Sequence, residues 1–431
     1  MRDAAMMVKH PTTVVLVAMA ALTAASVARA DQAADQMLIK QGEYVARTGD
    51  CIACHTDRGG EPFAGGLPLQ TPIGTVYTTN ITPDNDTGIR GWSYDDFVQL
   101  IRRGIHKMGY TVYPAMPYPS FSRMRDDDLK SLYAYLMLGV APVRQANRPP
   151  DIIWPLSMRW PLTVWRWLFA PTPQPFQPPP GADTRITRGA YLVEVPGHCG
   201  ACHTPRSFTM QEKALSSGDG KFYLSGGGAV DGWIPPSLRN EHGGGLAGWS
   251  ESDIVHLLKT ARNPESATFG GMNDVVVHST QHLIDDDLAG IAAYLKTLSP
   301  NHDAAPYAYD DAVAKALFNG DAPTRGAQVY VDRCAGCHHT DGRGSGRVIP
   351  ALAGNPLLQS ADPTSAINIV LSGSTLPATR TAPSAFTMAP YAWLLTDQDV
   401  ADVVSFIQTS WGNAGASTTS SKVTALRRPA R

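Results

Sequence analysis

All six cysteines of this 431-residue chain fall in three copies of one five-residue pattern: Cys51-Ile52-Ala53-Cys54-His55, Cys199-Gly200-Ala201-Cys202-His203 and Cys334-Ala335-Gly336-Cys337-His338. Two thiols spaced by two residues and followed at once by an imidazole are what covalent haem c requires. The thiols form thioethers with the vinyl groups, and the histidine reaches the iron as proximal ligand. A single Cys-x-x-Cys would also suit a redox dithiol or half of a zinc site. Three copies with histidine in the same place and no cysteine left over do not. Six cysteines in 431 residues are also too sparse for a disulfide scaffold. The pattern predicts three covalent haems c, held by Cys51 and Cys54, Cys199 and Cys202, and Cys334 and Cys337, with His55, His203 and His338 on the irons.

The start of the chain is consistent with this chemistry. Arg2 and Lys9 precede an apolar run, and Ala28-Arg29-Ala30 is a small-x-small cleavage pattern, so residues 1–30 read as a signal peptide and the mature chain as beginning at Asp31. Haem is attached to this motif outside the cytoplasm, which places the expected product in the periplasm. The whole chain has 36 basic and 38 acidic residues. Residues 1–30 hold three of the basic and one of the acidic ones. The remainder is mildly acidic, against nucleic acid as a partner.

The motifs begin at 51, 199 and 334, a period that fits one helical domain per haem. Gln41-Gly42-Glu43-Tyr44, Arg188-Gly189-Ala190-Tyr191 and Arg325-Gly326-Ala327-Gln328 open three helical stretches ahead of the motifs. Each repeat closes on another helix, led by Asp126-Asp127-Asp128, Asp285-Asp286-Asp287 or Thr396-Asp397-Gln398-Asp399. Acidic first turns complement the helix dipole, and apolar residues three and four apart mark a buried face. Middle helices start at Ser93-x-x-Asp96 and Ser250-x-x-Asp253, both capping boxes, and at Asp362-Pro363 in the third copy. The expected fold is all-α: three tandem cytochrome c domains over 31–143, 183–301 and 321–412, with linkers at 144–182 and 302–320.

A thioether as sixth ligand suits an electron carrier, because Met/His ligation raises the potential and closes the iron. Met388 is the only methionine after the third motif. Met272 serves the second, Met210 being too close to its motif to reach the opposite face. In the first repeat Met108, Met116, Met124 and Met137 compete; Met116 is chosen for its neighbouring Pro117 and its place between the middle and last helices. His278 is the runner-up for the second site. Backbone carbonyls in proline-containing loops, with Pro350 and Pro235 as candidates, are expected to hold the proximal imidazoles.

Four of the nine tryptophans, Trp154, Trp160, Trp165 and Trp167, crowd into the stretch from Ile152 to Phe169. With Arg159 and Arg166 interleaved to meet phosphates, it reads as an amphipathic interface element for a membrane surface or a protein. Pro171 to Pro180 reads as an extended linker, and residues 413–431 as a polar, disordered tail.

These residues resemble a known family, the triheme cytochrome c subunits of bacterial membrane-associated dehydrogenases for gluconate, sorbitol, fructose and alcohol. The resemblance covers nearly the whole mature chain. It is carried by the three motifs, by Thr71-Pro72-Ile73-Gly74-Thr75-Val76-Tyr77 running into Thr79-Asn80-Ile81-Thr82-Pro83-Asp84, by Ala115-Met116-Pro117-Tyr118, and by Trp154-Pro155-Leu156-Ser157-Met158-Arg159-Trp160-Pro161. It implies a non-catalytic accessory subunit at the periplasmic face of the inner membrane. A catalytic subunit with flavin or pyrroloquinoline quinone, in some assemblies with a small third subunit, would supply electrons, and ubiquinone would receive them. Cytochrome subunits of molybdenum hydroxylases are a related alternative. From the residues alone a haem enzyme, such as a peroxidase or reductase, stays open as the other class; it requires one iron without a sixth ligand. No Gly-x-Gly-x-x-Gly follows a strand, so no flavin site is expected in this chain.

Overall fold

The computed structural model describes residues 32–427; the expected signal peptide and the mature start at Asp31 lie outside the described residues. In the first repeat, helix α1 covers 32–48 and the Cys51–Cys54 turn is α2. A hairpin of β1 (Pro68–Thr71) and β2 (Gly74–Tyr77) follows, then α3 (Tyr94–Arg103), the short α4 (Tyr118–Phe121) and α5 (Asp126–Ala134). The connecting segment adds β3 (Asp151–Ile152) and α6 (Trp160–Phe169). The second repeat consists of α7 (Thr184–Glu194), α8 (Gly200–His203), α9 (Glu251–Thr260), α10 (Gly271–His278) and α11 (Asp285–Thr297). After α12 (Ala312–Phe318), the third contains α13 (Arg325–Arg333), α14 (Ala335–His338), α15 (Thr364–Ser372), β4 (Ser374–Leu376), β5 (Phe386–Met388) and α16 (Asp397–Thr409), followed by α17 (Ser420–Leu426).

Each repeat is built by crossing its first long helix over its last. The glycines do not open these helices as expected: Gly42 and Gly189 lie inside α1 and α7, only Gly326 stands in a first turn, and all three sit at the crossing. A β-carbon on Gly42 would lie 1.8 Å from the Ser131 carbonyl oxygen, on Gly189 1.9 Å from that of Gly290, and on Gly326 2.3 Å from that of Asp402. Only a bare backbone admits such an approach, so three glycines at one repeated place fix three equivalent crossings. Their middle helices start as the sequence implies: Ser93 with Asp96 and Ser250 with Asp253 form capping boxes, and Thr396 with Asp399 forms a third on α16.

The expectation of an all-α chain holds for its bulk and fails at two small antiparallel sheets. One has the order β1-β2-β3 and the other pairs β4 with β5. Pro72 and Ile73 form the turn between Thr71 and Gly74, whose φ of 130° suits glycine. β3 then pairs Ile152 with Gly74. Met388 therefore lies on a strand opposite Ser374 and not in a loop.

The packing divides the molecule unequally. One hydrophobic core runs through the first two repeats, from Val45, Phe97 and Leu129 to Leu192, Ile254 and Leu288. The third repeat has its own, around Tyr330, Ile367, Val404 and Trp411. Both expected linkers are partly structured. The 302–320 segment contains α12, whose Leu317 is buried in the third core. In the proline-rich run the Phe176 amide donates to the Arg123 carbonyl at 2.9 Å, and its ring packs on Tyr191.

The tail is also corrected. Residues 420–426 form α17, capped by the Thr419 hydroxyl and anchored by a fully buried Val423. Lys422 pairs with Asp362 at 3.0 Å and Arg427 with Asp397 at 2.5 Å. A polar composition conceals this helix because its stability comes from docking and not from its own propensity.

Candidate haem-binding site

The three Cys-x-x-Cys-His segments adopt one geometry. In each, a single helical turn puts both thiols on one face and ends with the histidine amide donating to the carbonyl of the first cysteine: His55 to Cys51 at 2.9 Å, His203 to Cys199 at 3.0 Å, His338 to Cys334 at 2.9 Å. The first cysteine of each is partly buried and the second exposed. Burial pushes the Cys51, Cys199 and Cys334 thiols up to about 12, which keeps them protonated at neutral pH.

Each imidazole is held by a backbone carbonyl through Nδ1. His55 meets the Thr79 oxygen at 2.7 Å, His203 the Pro236 oxygen at 2.8 Å and His338 the Pro350 oxygen at 3.1 Å. A carbonyl only accepts, so Nδ1 carries the proton and Nε2 keeps the lone pair that binds iron. Burial lowers the pKa of all three imidazoles and favours that neutral form. Pro350 is the carbonyl expected from sequence. Pro235 is not: its oxygen accepts from the Gly227 amide at 3.0 Å, and the neighbouring Pro236 turns inward instead. Thr79 has no proline signal, although it lies in the Thr79-Asn80-Ile81-Thr82 run.

The methionines lie between the middle and last helices of their repeats. Met116 packs against the shared core and Met388 against the third. Met272 is in the first turn of α10. The loops leading to Met116 and Met272 correspond. The Val112 amide donates to the Gly104 carbonyl, and Thr268 to Ala261, both at 2.9 Å, behind matching bridges Ile105 to Thr111 and Arg262 to Ala267. Of the competing methionines, Met108 is 74% exposed and Met124 is buried in the core. His278 ends α10, away from the turn that carries Met272. His198 is anchored to the Pro196 oxygen at 2.9 Å.

A neutral imidazole anchored through Nδ1 and a pair of thiols on one helical face are the donor types that c-type haem requires, and a thioether in the same repeat is the donor type of His/Met ligation. Residues 323–411 match the Cytochrome c family, which covers the third motif and Met388. The chain is 55% identical over 406 residues to the gluconate 2-dehydrogenase cytochrome c subunit of Pantoea cypripedii, covering 93% of this chain and 92% of that protein. It is 53% identical over 397 residues to the cytochrome c subunit of alcohol dehydrogenase (quinone) from Gluconacetobacter polyoxogenes, covering 91% and 85%. The fructose dehydrogenase cytochrome subunit of Gluconobacter japonicus is 32% identical over 434 residues, covering 96% and 88%.

The chain belongs to the family of dehydrogenase cytochrome c subunits. Membership makes it an electron-transfer cytochrome with covalent haem c. What sequence reasoning missed is how this cytochrome anchors its first two histidines, and how the segment with four tryptophans is arranged.

In that segment Trp165 turns inward. Its indole N–H donates to the Thr209 carbonyl at 2.7 Å and its ring meets Tyr118. Arg159 lies over the Tyr113 ring at 4.2 Å, and the Arg166 Nε–H donates to the Thr111 hydroxyl at 3.3 Å. Trp154, Trp160 and Trp167 face outward, 80%, 66% and 79% exposed. No helix among the described residues is long and apolar enough to cross a membrane.

Proposed function

We propose that this chain carries three haems c, one in each of three cytochrome c domains. It would receive electrons from the catalytic subunit of a flavin- or pyrroloquinoline-quinone-dependent sugar, sugar-acid or alcohol dehydrogenase and pass them to ubiquinone. The observation that carries the reading is the threefold recurrence of one anchored histidine, with Nδ1 on a carbonyl and Nε2 left for iron. The relatives named for gluconate, alcohol and fructose support the donor class, and the word quinone in the second supports the acceptor. Haem c at these sites supplies reversible one-electron chemistry. The protein's part would be to hold each ring through its two cysteines, fix the histidine tautomer through Thr79, Pro236 and Pro350, and supply Met116, Met272 and Met388 as the further iron ligands. A pyridine haemochrome assay should give three haems per chain. Replacing Met388 by Ala should lower one midpoint potential and leave two in place; an unchanged redox titration would remove Met388 from the ligand set.

The same reading places the protein at the periplasmic face of the inner membrane, held there by residues 152–169 and by its catalytic partner. The three outward indoles support this, since such rings favour the headgroup level. Changing Trp154, Trp160 and Trp167 to Ser should leave the haem spectrum intact and release the protein from membranes. Retention of both membrane binding and quinone reduction would rule the segment out as the attachment surface.

A further inference from the structure

The first two repeats cap each other's helices. The Tyr44 hydroxyl, from α1, donates to Asp287 at 2.6 Å and accepts from the Ile284 amide at 3.2 Å, at the start of α11. In return the Tyr191 hydroxyl, from α7, donates to Asp128 and accepts from the Arg125 amide at 3.3 Å, at the start of α5. Tyr44 and Tyr191 occupy the same repeated place, and so do Asp287 and Asp128, so the two contacts are related by an approximate twofold. Arg125 and Ile284 are the N-cap residues of α5 and α11, and neither helix has a side-chain cap of its own. The third repeat has Gln328 in the tyrosine's place, and its last helix is capped internally by Thr396. Where the tyrosine is present the internal cap is missing, and where it is absent the cap is supplied locally.

The contacts around this latch bring each haem motif against the other repeat. The Phe121 ring of the first repeat packs on His198, the residue before Cys199, at 5.4 Å between centroids. Helix α10 of the second repeat, which begins with Met272, packs on α2, the turn holding Cys51 and Cys54. The Ser279 hydroxyl donates to the Thr48 carbonyl at 3.5 Å beside the same turn. A shift at either tyrosine therefore moves one Cys-x-x-Cys-His motif relative to the other.

We propose that Tyr44 and Tyr191 are positioning residues that fix the relative placement of the first two haems, and with it the rate at which they exchange electrons. This rests on the reading that both motifs carry haem. The test uses the full, haem-loaded chain with Tyr44→Phe and Tyr191→Phe, singly and together. The double variant should keep three haems by pyridine haemochrome and an unchanged potential for the third. It should lose part of the magnetic interaction between the first two ferric haems in electron paramagnetic resonance, and re-equilibrate electrons between them several-fold more slowly after rapid one-electron reduction. Asp128→Asn, whose side-chain oxygen still accepts from Tyr191, should behave as wild type. Adding Arg125→Thr and Ile284→Thr to the double variant gives each helix its own cap. That should restore the melting temperature while electron exchange stays slow. Recovery of the rate along with stability would show that the tyrosines only cap helices, and a wild-type rate in the double variant would also overturn the proposal. Fewer than three haems in the unmutated protein would instead defeat the reading on which it rests.

Discussion

The first two repeats and the third use the same helix crossing and the same histidine anchor but reach stability by different routes. Repeats one and two share a core and cap each other; the third closes its own core and adds a C-terminal helix to cover it. The same local fold can therefore share its main core with a neighbour or close one of its own, depending on a few residues at helix ends; a small cluster of Ala261, Val276 and Leu376 still joins the third repeat to the second.

The crossing glycines give the largest expected effect. A leucine at Gly189 or Gly326 would place its β-carbon on a backbone carbonyl. Overpacking costs about 1–3 kcal/mol where side chains can yield, and more where backbone must move. If the first two repeats are one cooperative unit, Gly189→Leu should abolish haem attachment at both, leaving one haem per chain, whereas Gly326→Leu should leave two. A count of two for Gly189→Leu would separate the first repeat from the second.

A smaller effect concerns pH. Burial pushes the Glu212 carboxyl in the second repeat up to about 7, against a lesser opposing pull from Arg206. The folded form then holds a proton that the unfolded chain releases, so stability falls as pH rises from the ordinary glutamate range through 7. The loss amounts to up to about 3 kcal/mol. Glu212→Gln should remove it, which chemical denaturation at pH 5 and pH 8 would show as a flatter dependence. The shifted carboxyls of the third repeat move the opposite way. Hydrogen bonds from Thr424 and Arg427 lower Asp397, and those from Thr396 and Arg325 lower Asp399. The third repeat should therefore lose stability as pH falls through those lowered values.

The smallest effect compares two equivalent arginines. Arg188 meets Asp287 in a bidentate pair at 2.9 and 2.8 Å, and that carboxylate is 6% exposed and also receives Tyr44. Arg325 meets Asp399 from a side chain that is 56% exposed. Arg325→Ala should cost under about 1 kcal/mol. Arg188→Ala, which leaves a buried carboxylate at a helix junction with one partner fewer, should cost about 1–3 kcal/mol. Equal midpoints in a denaturant titration would mean that the shared interface adds nothing to its ion pair.

Much of this was legible in the sequence because it repeats. The three motifs, the repeated glycines of the first helices, the acidic starts of the last helices and the serine capping boxes are local signals. What stayed hidden depends on partners distant in the chain. The turn at Pro72 and Ile73 was visible as a motif, but its pairing with Asp151 and Ile152 was not. Pro236 was missed by one residue because proline marks a loop without specifying which carbonyl turns inward. The pairing of the first two repeats did leave a trace, a tyrosine at 44 and 191 replaced by glutamine at 328. That trace points to an interface only once the opposing aspartates are known to stand across from it.

The docking of α17 has a consequence for the order in which the protein is completed. Val423 is fully buried in the third core, far along the chain from the motif that this core adjoins. Until α17 docks, the third core lacks one wall, whereas the core shared by the first two repeats needs nothing from it. In that state the thiols of Cys334 and Cys337 stand in an unfinished shell.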